Sequence, residues 1–353
     1  MKKILVASSA LVAVAFAGQA SASEPIKLSV GGYMEQWAGI ASQEDEYADR
    51  NAFQSDSEVH FKGSTTLDNG IEVGAVVELE AEGGNSGSMI DEQWLYVSGG
   101  FGQVKLGAED GAAADMATLA PSTGPVNVQD GDLGNWVDIT GQGAANYIYG
   151  SNDAKKLTYY TPVLGGFRAG LSYTDDMTSE NNDTATTSNS RVSAGVEYIG
   201  DFDAISLKVS AVGEDDQSSE GQWWHTGVQV GFGNFTVGGS YGQADEELGG
   251  TYEALGGDSD DDSDDIGIGE QSGYDLGVAY AMDAATVSLG YFHSETDLDT
   301  GGSNELDHVH VGLTYALGAG VNWKSSVFWF ESEMEDQADN EGYGAVTGLH
   351  LAF

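Results

Sequence analysis

The sequence lacks several features that many protein classes need. It contains no cysteine, so disulfide bonds and thiolate chemistry are excluded. Only 12 lysine and arginine residues stand against 57 aspartate and glutamate residues, which gives a formal charge of −45. Because proteins that bind nucleic acids need a cationic surface, the composition predicts no nucleic-acid partner.

Long hydrophobic runs are also scarce, and the one clear example lies at the amino terminus. Two lysines precede an apolar run at residues 4–17, and Ala20-Ser21-Ala22 fits the small-x-small cleavage rule. We therefore predict a cleaved signal peptide over residues 1–22 and a single domain over residues 23–353. The alternative is an anchoring helix, but the run is shorter than the ~20 residues that a spanning helix needs. A chain of this kind would enter a membrane only as a closed sheet.

Alternation of polar and apolar residues is the main pattern in the rest of the chain. It occurs in sixteen short segments, joined in turn by short glycine-rich turns and by longer acidic loops. In the segment Ser57–Leu67, for example, Glu58 and His60 share one face. Asn69-Gly70 then predicts a tight hairpin turn, because both residues tolerate positive φ. Most segments are near the ~9–11 residues that a tilted membrane-spanning strand needs.

The final segment, Tyr343–Phe353, alternates as far as a terminal aromatic residue. Tyr343, Leu349 and Phe353 fall on its apolar face, while the other face carries mostly small or polar residues. Alternation that ends on an aromatic is typical of the last strand of a transmembrane β-barrel. A soluble β-sandwich or propeller would also alternate, but no internal repeat of the propeller kind is present.

Three further features favour a membrane barrel. Short turns alternate with long loops, single bases lie inside strands opposite the apolar face, and aromatic residues gather near strand ends as interfacial girdles require. We assign to these girdles Tyr33, Trp37, Trp94, Tyr96, Tyr159, Tyr160, Trp223, Trp224, Trp323 and Trp329. The predicted fold is all-β, a 16-stranded antiparallel transmembrane β-barrel.

The connection from Asp110 to Ala154 shows no strand alternation and is too long for an ordinary loop. We expect this third loop to fold into the lumen as a size filter, with a short helix within Ala112–Leu119. Acids on the loop that face bases on the barrel wall would set a transverse field across the opening. The predicted constriction acids are Asp110, Asp115, Asp130, Asp132 and Asp138. The predicted wall bases are Lys62, Lys105, Arg168, Arg191, Lys208 and Lys324. Alternatively, some of these bases are ion-pair partners that only brace the loop.

Several short motifs, in their order and spacing, resemble those of a Gram-negative general porin, particularly of the alphaproteobacterial type. The motifs that carry the resemblance are Val30-Gly31-Gly32-Tyr33, Phe61-Lys62-Gly63, Leu67-Asp68-Asn69-Gly70-Ile71-Glu72-Val73-Gly74, Gln93-Trp94-Leu95-Tyr96-Val97, Gly99-Gly100-Phe101-Gly102-Gln103-Val104-Lys105-Leu106-Gly107, Leu157-Thr158-Tyr159-Tyr160-Thr161-Pro162, Gly165-Gly166-Phe167 and the terminal Phe353. The resemblance covers nearly the whole chain after the predicted signal peptide.

The resemblance implies a homotrimer of barrels in the outer membrane of a Gram-negative bacterium, each barrel a passive water-filled pore. It also implies that the outer-membrane assembly machinery reads Phe353. The expected partners are the chain itself, outer-membrane lipid and lipopolysaccharide, the assembly machinery, and small ions and solutes. One departure is the scarcity of arginine, because many such porins carry an arginine cluster opposite the constriction loop and this chain has only Arg50, Arg168 and Arg191.

Other groups of chemically active residues carry weaker expectations. The acidic run at residues 258–265 lacks the spacing of an EF-hand, so we expect a solvated loop there and no firm cofactor. Its weak candidate ligands for a loosely bound Ca²⁺ are Asp260, Asp261, Asp262, Asp264 and Asp265. His308 and His310 share a strand face and are expected to be polar lumen residues. No Gly-x-Ser-x-Gly sequence lies at a predicted strand-to-helix turn, as a nucleophile elbow requires, so we predict that the protein is not an enzyme.

Together these observations predict an outer-membrane porin for passive diffusion of ions and small hydrophilic solutes. We expect a preference for cations, because carboxylates far outnumber bases and rings of carboxylates favour cations in pores. The residues expected to decide this preference are Asp110, Asp115, Asp130 and Asp132. The alternatives are a substrate-specific channel, for instance for sugars, and a closed barrel that serves as an adhesin or structural anchor.

Overall fold

The structure is a computed structural model of the chain. It describes residues 25–47, 50–81, 89–127, 132–139, 154–175, 190–217, 219–248, 251–253, 265–335 and 337–353. The predicted signal peptide over residues 1–22 lies outside the described residues.

The alternating segments form seventeen β-strands. They are β1 (Lys27–Ser42), β2 (Arg50–Thr66), β3 (Glu72–Glu80), β4 (Ile90–Gly99), β5 (Gly102–Ala108), β6 (Lys155–Tyr160), β7 (Phe167–Thr174), β8 (Arg191–Phe202), β9 (Ile205–Asp216), β10 (Gln222–Phe232), β11 (Phe235–Ala244), β12 (Thr251–Glu253), β13 (Asp265–Ala281), β14 (Ala285–Leu298), β15 (Ser303–Gly318), β16 (Val321–Glu333) and β17 (Asn340–Ala352). The helices are α1 (Ala112–Met116) and two short 3-10 helices, Asp132–Asn135 and Glu246–Leu248.

Sixteen of these strands form one closed antiparallel barrel. Consecutive strands pair along the chain, and β1 also pairs with β17, so the sheet has no free edge. The exception is β12, a three-residue strand beside the start of β13, while β11 pairs with β13 directly. The predicted sixteen-stranded antiparallel barrel is confirmed.

Two strands begin earlier than their sequence pattern predicted. β2 starts at Arg50 rather than at Ser57, and its first residue pairs with Ala41 of β1. β13 starts at Asp265 rather than at Ser272. The reason is that inter-strand hydrogen bonds join backbone groups, so pairing continues beyond the point where apolar side chains stop alternating.

The turn between β2 and β3 has the predicted hairpin geometry. Gly70 adopts a φ of +80°, and its N–H donates to the carbonyl oxygen of Leu67 at 2.9 Å. The side-chain oxygen of Asn69 accepts the N–H of Ile71 at 3.1 Å. The turn therefore fixes the register in which β2 and β3 face each other.

The two faces of the barrel differ in chemistry. On β17, Tyr343 and Leu349 are 67% and 43% exposed, whereas Val346 on the opposite face is 2% exposed. The face with exposed apolar side chains is here called the apolar face, and the other the polar face. The polar face carries, among others, Glu35, His60, Lys105, Ser172 and Ser326.

The prediction of aromatic girdles was wrong for most of the residues that we assigned to them. Tyr159, Trp224 and Trp323 have exposed side chains on the apolar face, and Trp329 follows the register of the same face. Six others follow the register of the polar face, because the parity of a residue along its strand, and not its distance from the strand end, decides its face. These six are Tyr33, Trp37, Trp94, Tyr96, Tyr160 and Trp223.

The buried core lies on the polar face, against the connection between β5 and β6. The described part of this connection, residues 109–127 and 132–139, is called the third-loop segment below. Met116 of the segment belongs to one apolar cluster with Trp223, and Trp136 belongs to a second cluster. Among the described residues, no helix is long and apolar enough to cross a membrane.

Candidate functional site: the polar face and the third-loop segment

The third-loop segment begins with α1, which confirms the predicted short helix. Its residues Ala112 and Ala113 are fully buried. Their N–H groups donate to Ser172 Oγ of β7 and Ser193 Oγ of β8, each at 2.8 Å. Buried backbone groups at a helix start need partners, and here two serines of the polar face supply them.

The backbone beyond α1 is held in the same way by successive strands. The N–H of Ala120 donates to Asp275 Oδ1 of β13 at 2.8 Å, and the N–H of Thr123 donates to Ser288 Oγ of β14 at 3.0 Å. The N–H of Val126 donates to Ser326 of β16 at 3.1 Å. An irregular buried segment must pair its backbone groups with other parts of the protein, so short polar side chains on the strands determine where it runs.

Glycines on the strands make room for this backbone. A Cβ atom on Gly227 of β10 would overlap the carbonyl oxygen of Thr118, and one on Gly312 of β15 would overlap that of Thr123. Both glycines have ordinary negative φ, so space rather than backbone conformation requires them. The segment therefore lies directly against the sheet at these points.

The far end of the segment contacts the strands where the barrel closes. Trp136 packs against Gly39 of β1, and Gln54 of β2 donates to the carbonyl oxygen of Asn135 at 2.7 Å. Asp138 is held through its backbone, since its carbonyl oxygen accepts Asn340 Nδ2 of β17 at 2.7 Å. The backbone contacts thus pass from β7 round to β1 and β2, and none of these bonds goes to β3 or β4.

All six predicted basic residues lie on the polar face, and five of them have a carboxylate partner. Lys105 contacts Glu109, and its ammonium is 3.2 Å from Asp115. The other ion pairs are Lys62–Glu78 at 3.1 Å, Arg168–Glu197 at 2.6 Å, Arg191–Glu214 at 3.1 Å, Arg191–Asp216 at 3.0 Å and Lys324–Glu35 at 2.8 Å. Among the described residues, Lys208 has no carboxylate within 4 Å of its ammonium. Most of these bases are therefore neutralised by a neighbouring carboxylate.

Carboxylates remain in excess on β1, β2 and β3. The acidic wall, as we call the polar face of these three strands, carries Glu35, Asp56, Glu58, Glu72, Glu78 and Glu80. The bases with described side chains on the same faces are Lys27, His60 and Lys62. The acidic wall therefore keeps net negative charge.

The predicted acids do not form one group. Asp110 follows β5, and Asp115 in α1 contacts both Lys105 and the hydroxyl of Tyr160. Asp138 lies apart from them, beside β17. Asp130 lies outside the described residues, and Asp132 is described only through its backbone.

The remaining predicted residues are placed as follows. Phe353 exchanges two backbone hydrogen bonds of 3.1 Å with Gly32 of β1, and its side chain is exposed. Residues 260–264 lie outside the described residues, and Asp265 is described only as the first residue of β13. His308 and His310 do lie on the polar face but are each 1% exposed, and His310 Nε2 is 2.9 Å from Ser122 Oγ of the third-loop segment.

Burial raises the carboxyl pKa of Asp110 at the start of the third-loop segment, and it does the same for the neighbouring Glu109. Its side chain is almost fully buried, and this burial raises the pKa of its carboxyl to about 7, although the ammonium of Lys105 opposes the shift. A carboxyl that titrates near neutral pH beside a lysine lets the local charge change within the physiological range.

The fold and the chemistry of its two faces identify the structural class of this protein. A closed antiparallel barrel with an apolar face of exposed side chains and a polar face of charged ones is a transmembrane β-barrel. A family model described as Gram-negative porin matches residues 7–333. The chain belongs to this family.

Solved porin structures share the fold at low sequence identity. A porin refined at 1.8 Å resolution is 19% identical over 93% of this chain and 100% of that chain, with a TM-score of 0.61. An anion-selective porin from Comamonas acidovorans is 16% identical over 93% and 100%, with a TM-score of 0.61. Salmonella typhi OmpF in complex with daunomycin is 16% identical over 92% and 97%, with a TM-score of 0.64. A search of curated proteins gave no match.

Family membership fixes the general function. The protein is an outer-membrane channel for passive diffusion, and it is not an enzyme. The apolar face is the one suited to lipid.

Proposed function

We propose that this porin prefers cations and that the acidic wall, rather than the acids of the third loop, sets the preference. The observation that carries the proposal is the excess of six carboxylates over three bases on the polar face of β1 to β3. Rings and arrays of carboxylates raise the local concentration of cations in a pore.

The proposal requires that the third-loop segment lies inside the barrel and narrows it. Its contacts support this placement, because the side chains that hold it, such as Ser172, Asp275 and Ser326, all belong to the polar face. The segment follows this face from β7 to β16 and continues to β1. The opening would then lie between the segment and the acidic wall.

The pairing of the bases strengthens the electrostatic argument. A lysine or arginine that contacts a carboxylate contributes little net field a few ångströms away. Lys105 and Arg191 each contact two carboxylates, so the side of the barrel on which they lie has no surplus positive charge from them. Charges on the outer loops act weakly, because salt at physiological strength screens them beyond ~8 Å.

The structural relatives do not decide selectivity. One of them is an anion-selective porin by its title, yet it has the same fold. Selectivity therefore depends on which side chains line the opening, as it does in channels generally.

The test is the reversal potential of the channel in a KCl gradient across a planar bilayer. We expect stepwise conductance and the sign of cation preference, and Glu58→Gln should reduce that preference. The matched control is Glu246→Gln, which removes the same charge from an exposed site in a loop and should leave the potential nearly unchanged. Anion preference in the unmodified protein would refute the proposal, and absence of stepwise conductance would argue against an open pore.

We also propose the assembly that the family resemblance implies, a homotrimer inserted into lipid and lipopolysaccharide after removal of residues 1–22. Phe353 would serve as the signal for the outer-membrane assembly machinery, supported by its exposed position at the end of the closing strand. Deletion of Phe353 should lower the surface level of the protein without changing its synthesis. A monomeric mass in mild detergent across a range of protein concentrations would contradict the trimer.

A further inference from the structure

One group of side chains in the acidic wall contains a histidine as well as carboxylates. His60 of β2 faces Glu78 of β3 as a direct cross-strand pair. Glu58 lies two residues before His60 and therefore on the same face. One ligand atom from each of these three residues can be chosen so that all of them lie within 4.8 Å of one another. Two carboxylates and an imidazole thus converge on one point of the polar face.

Neighbouring groups orient both carboxylates toward the imidazole. Glu58 Oε1 accepts the hydroxyl of Tyr33 at 2.8 Å, while Glu58 Oε2 lies 2.6 Å from His60 Nε2. Glu78 Oε1 pairs with the ammonium of Lys62 at 3.1 Å, while Glu78 Oε2 lies 3.5 Å from the same Nε2. Each carboxylate therefore has one oxygen fixed by a partner and the other directed at His60. Such outer partners orient ligands in protein metal sites.

The distances fit an ion after a small adjustment. Ligand atoms that share a tetrahedral ion at 2.0–2.2 Å lie about 3.3–3.6 Å apart. The 3.5 Å separation of His60 Nε2 from Glu78 already meets this value. The 2.6 Å hydrogen bond between His60 and Glu58 must open by less than an ångström. The side chains of the three residues are 12–19% exposed, so water can complete the coordination.

The surroundings favour a cation at this point. Glu58 also belongs to a second acidic group with Glu80 and Asp91. Lys62 is the one lysine in contact with Glu78, and it cannot neutralise the carboxylates of both groups. A divalent ion would reduce this repulsion, and an imidazole ligand selects ions of the zinc type over Ca²⁺ and Mg²⁺, which prefer oxygen ligands alone.

We propose that Glu58, His60 and Glu78 bind a divalent transition-metal ion of the zinc type, and that its binding lowers the cation preference of the pore. Binding itself depends only on these residues, whereas the effect on current rests on the proposed function. Because the imidazole binds metal only as the neutral ring, affinity falls as pH is lowered.

The first experiment measures binding of ZnCl₂ to the folded full-length protein in detergent by isothermal titration calorimetry. We expect a site that His60→Asn weakens by about tenfold or more, in line with the loss of a ligand. The matched control is His350→Asn, which removes another histidine of the polar face that pairs with one carboxylate, Glu35, at 2.5 Å. The circular dichroism spectrum checks that each variant keeps its sheet.

The outcomes separate the explanations. Zinc binding that His60→Asn leaves unchanged would overturn the proposal and assign the zinc to other acidic groups. Equal loss in His60→Asn and His350→Asn would also overturn it. Binding of CaCl₂ as tight as that of ZnCl₂ would contradict the role of the imidazole.

The second experiment measures the reversal potential in a KCl gradient with and without ZnCl₂. We expect zinc to move the potential of the unmodified protein toward zero and to have no such effect on His60→Asn. If zinc binds through His60 but does not move the potential, the site is not on the ion path. If the metal-free channel shows no cation preference, the proposed function fails while the binding result still stands.

Discussion

The polar face of the barrel has two regions with opposite chemistry. From β7 to β16 it carries serines and glycines that hold the backbone of the third-loop segment, as Ser172, Ser288 and Gly312 do. From β1 to β3 it carries the acidic wall. The first region holds the segment mostly through neutral groups, with Asp275 as a charged exception, and the second carries more carboxylates than bases.

The comparison shows how one barrel can hold a loop with one part of its polar face and keep an excess of carboxylates on another part. Neutral hydrogen bonds place a backbone without creating a field, and glycine permits contact without a side chain. Five of the six predicted wall bases are paired with carboxylates, Lys208 being the exception among the described residues, so the paired ones act mainly as supports. Under the proposed function, the acidic wall then sets the field of the pore.

The largest effect is expected from a single methyl group in the first region. Gly312→Ala places a Cβ atom against the carbonyl oxygen of Thr123, so the segment must move away from β15. Overpacking of this kind costs about 1–3 kcal/mol. We expect a lower melting temperature and a changed single-channel conductance.

The matched control for this change lies on the same strand. A Cβ atom on Gly318 meets nothing within 4 Å, so Gly318→Ala should leave both properties almost unchanged. Equal behaviour of the two variants would mean that the segment does not press against β15 in the folded channel.

A smaller effect is expected from removing one of the serines that hold α1. Ser172→Ala leaves the buried N–H of Ala112 without its 2.8 Å partner, and an unsatisfied buried donor costs about 1–3 kcal/mol. The melting temperature should fall, while the reversal potential should stay the same because no charge changes. Ser55→Ala, at an exposed serine on the apolar face, is the control. A shift of the reversal potential in Ser172→Ala but not in Ser55→Ala would show that the first region also affects selectivity.

Much of the barrel could be predicted from alternation, because each spanning strand must show one face to lipid. The β2–β3 hairpin is an example, since Asn69-Gly70 fixed its turn and the alternation of Glu58, His60 and Glu78 fixed their common face. Alternation could not predict where β2 begins, because its first residues pair through the backbone alone. Position near a strand end could not distinguish the aromatic residues of the apolar face from those of the polar face.

The candidate site was predicted only in part. The parity of the wall bases was sufficient to place them on the polar face, but their partners were not predictable. Arg191 contacts Glu214 across a hairpin, whereas Lys324 contacts Glu35 at the other end of the chain. The path of the third-loop segment depends on serines up to 200 residues away, such as Ser326, and no local pattern encodes such a contact. Alternation was sufficient to place Glu72, Glu78 and Glu80 on one strand face, but it could not show that they lie beside Glu35 and Asp56 of the neighbouring strands.

Removing Lys62 from the acidic wall is expected to change the selectivity modestly. Lys62→Gln frees the carboxylate of Glu78 from its 3.1 Å ion pair, so the wall gains one net negative charge. We expect a stronger cation preference by reversal potential. Lys155→Gln, which removes a lysine from the apolar face of β6, should have no such effect. A weaker cation preference in Lys62→Gln would show that charge on the acidic wall does not set selectivity.

The smallest effect concerns pH and the border between the two regions. Burial raises the pKa of Glu109 to about 7, so this carboxyl is mostly ionised at pH 8 and mostly protonated at pH 6. Protonation leaves the ammonium of Lys105 with only Asp115 as a carboxylate partner, and the local charge becomes more positive by one. The cation preference should therefore fall slightly as pH falls through about 7. Reversal potentials measured at steps between pH 8 and pH 6 check this, with Glu109→Gln as the variant that should lose the step. If Glu109→Gln keeps the same pH dependence, Glu109 is not the group whose protonation changes the selectivity, and the prediction is wrong.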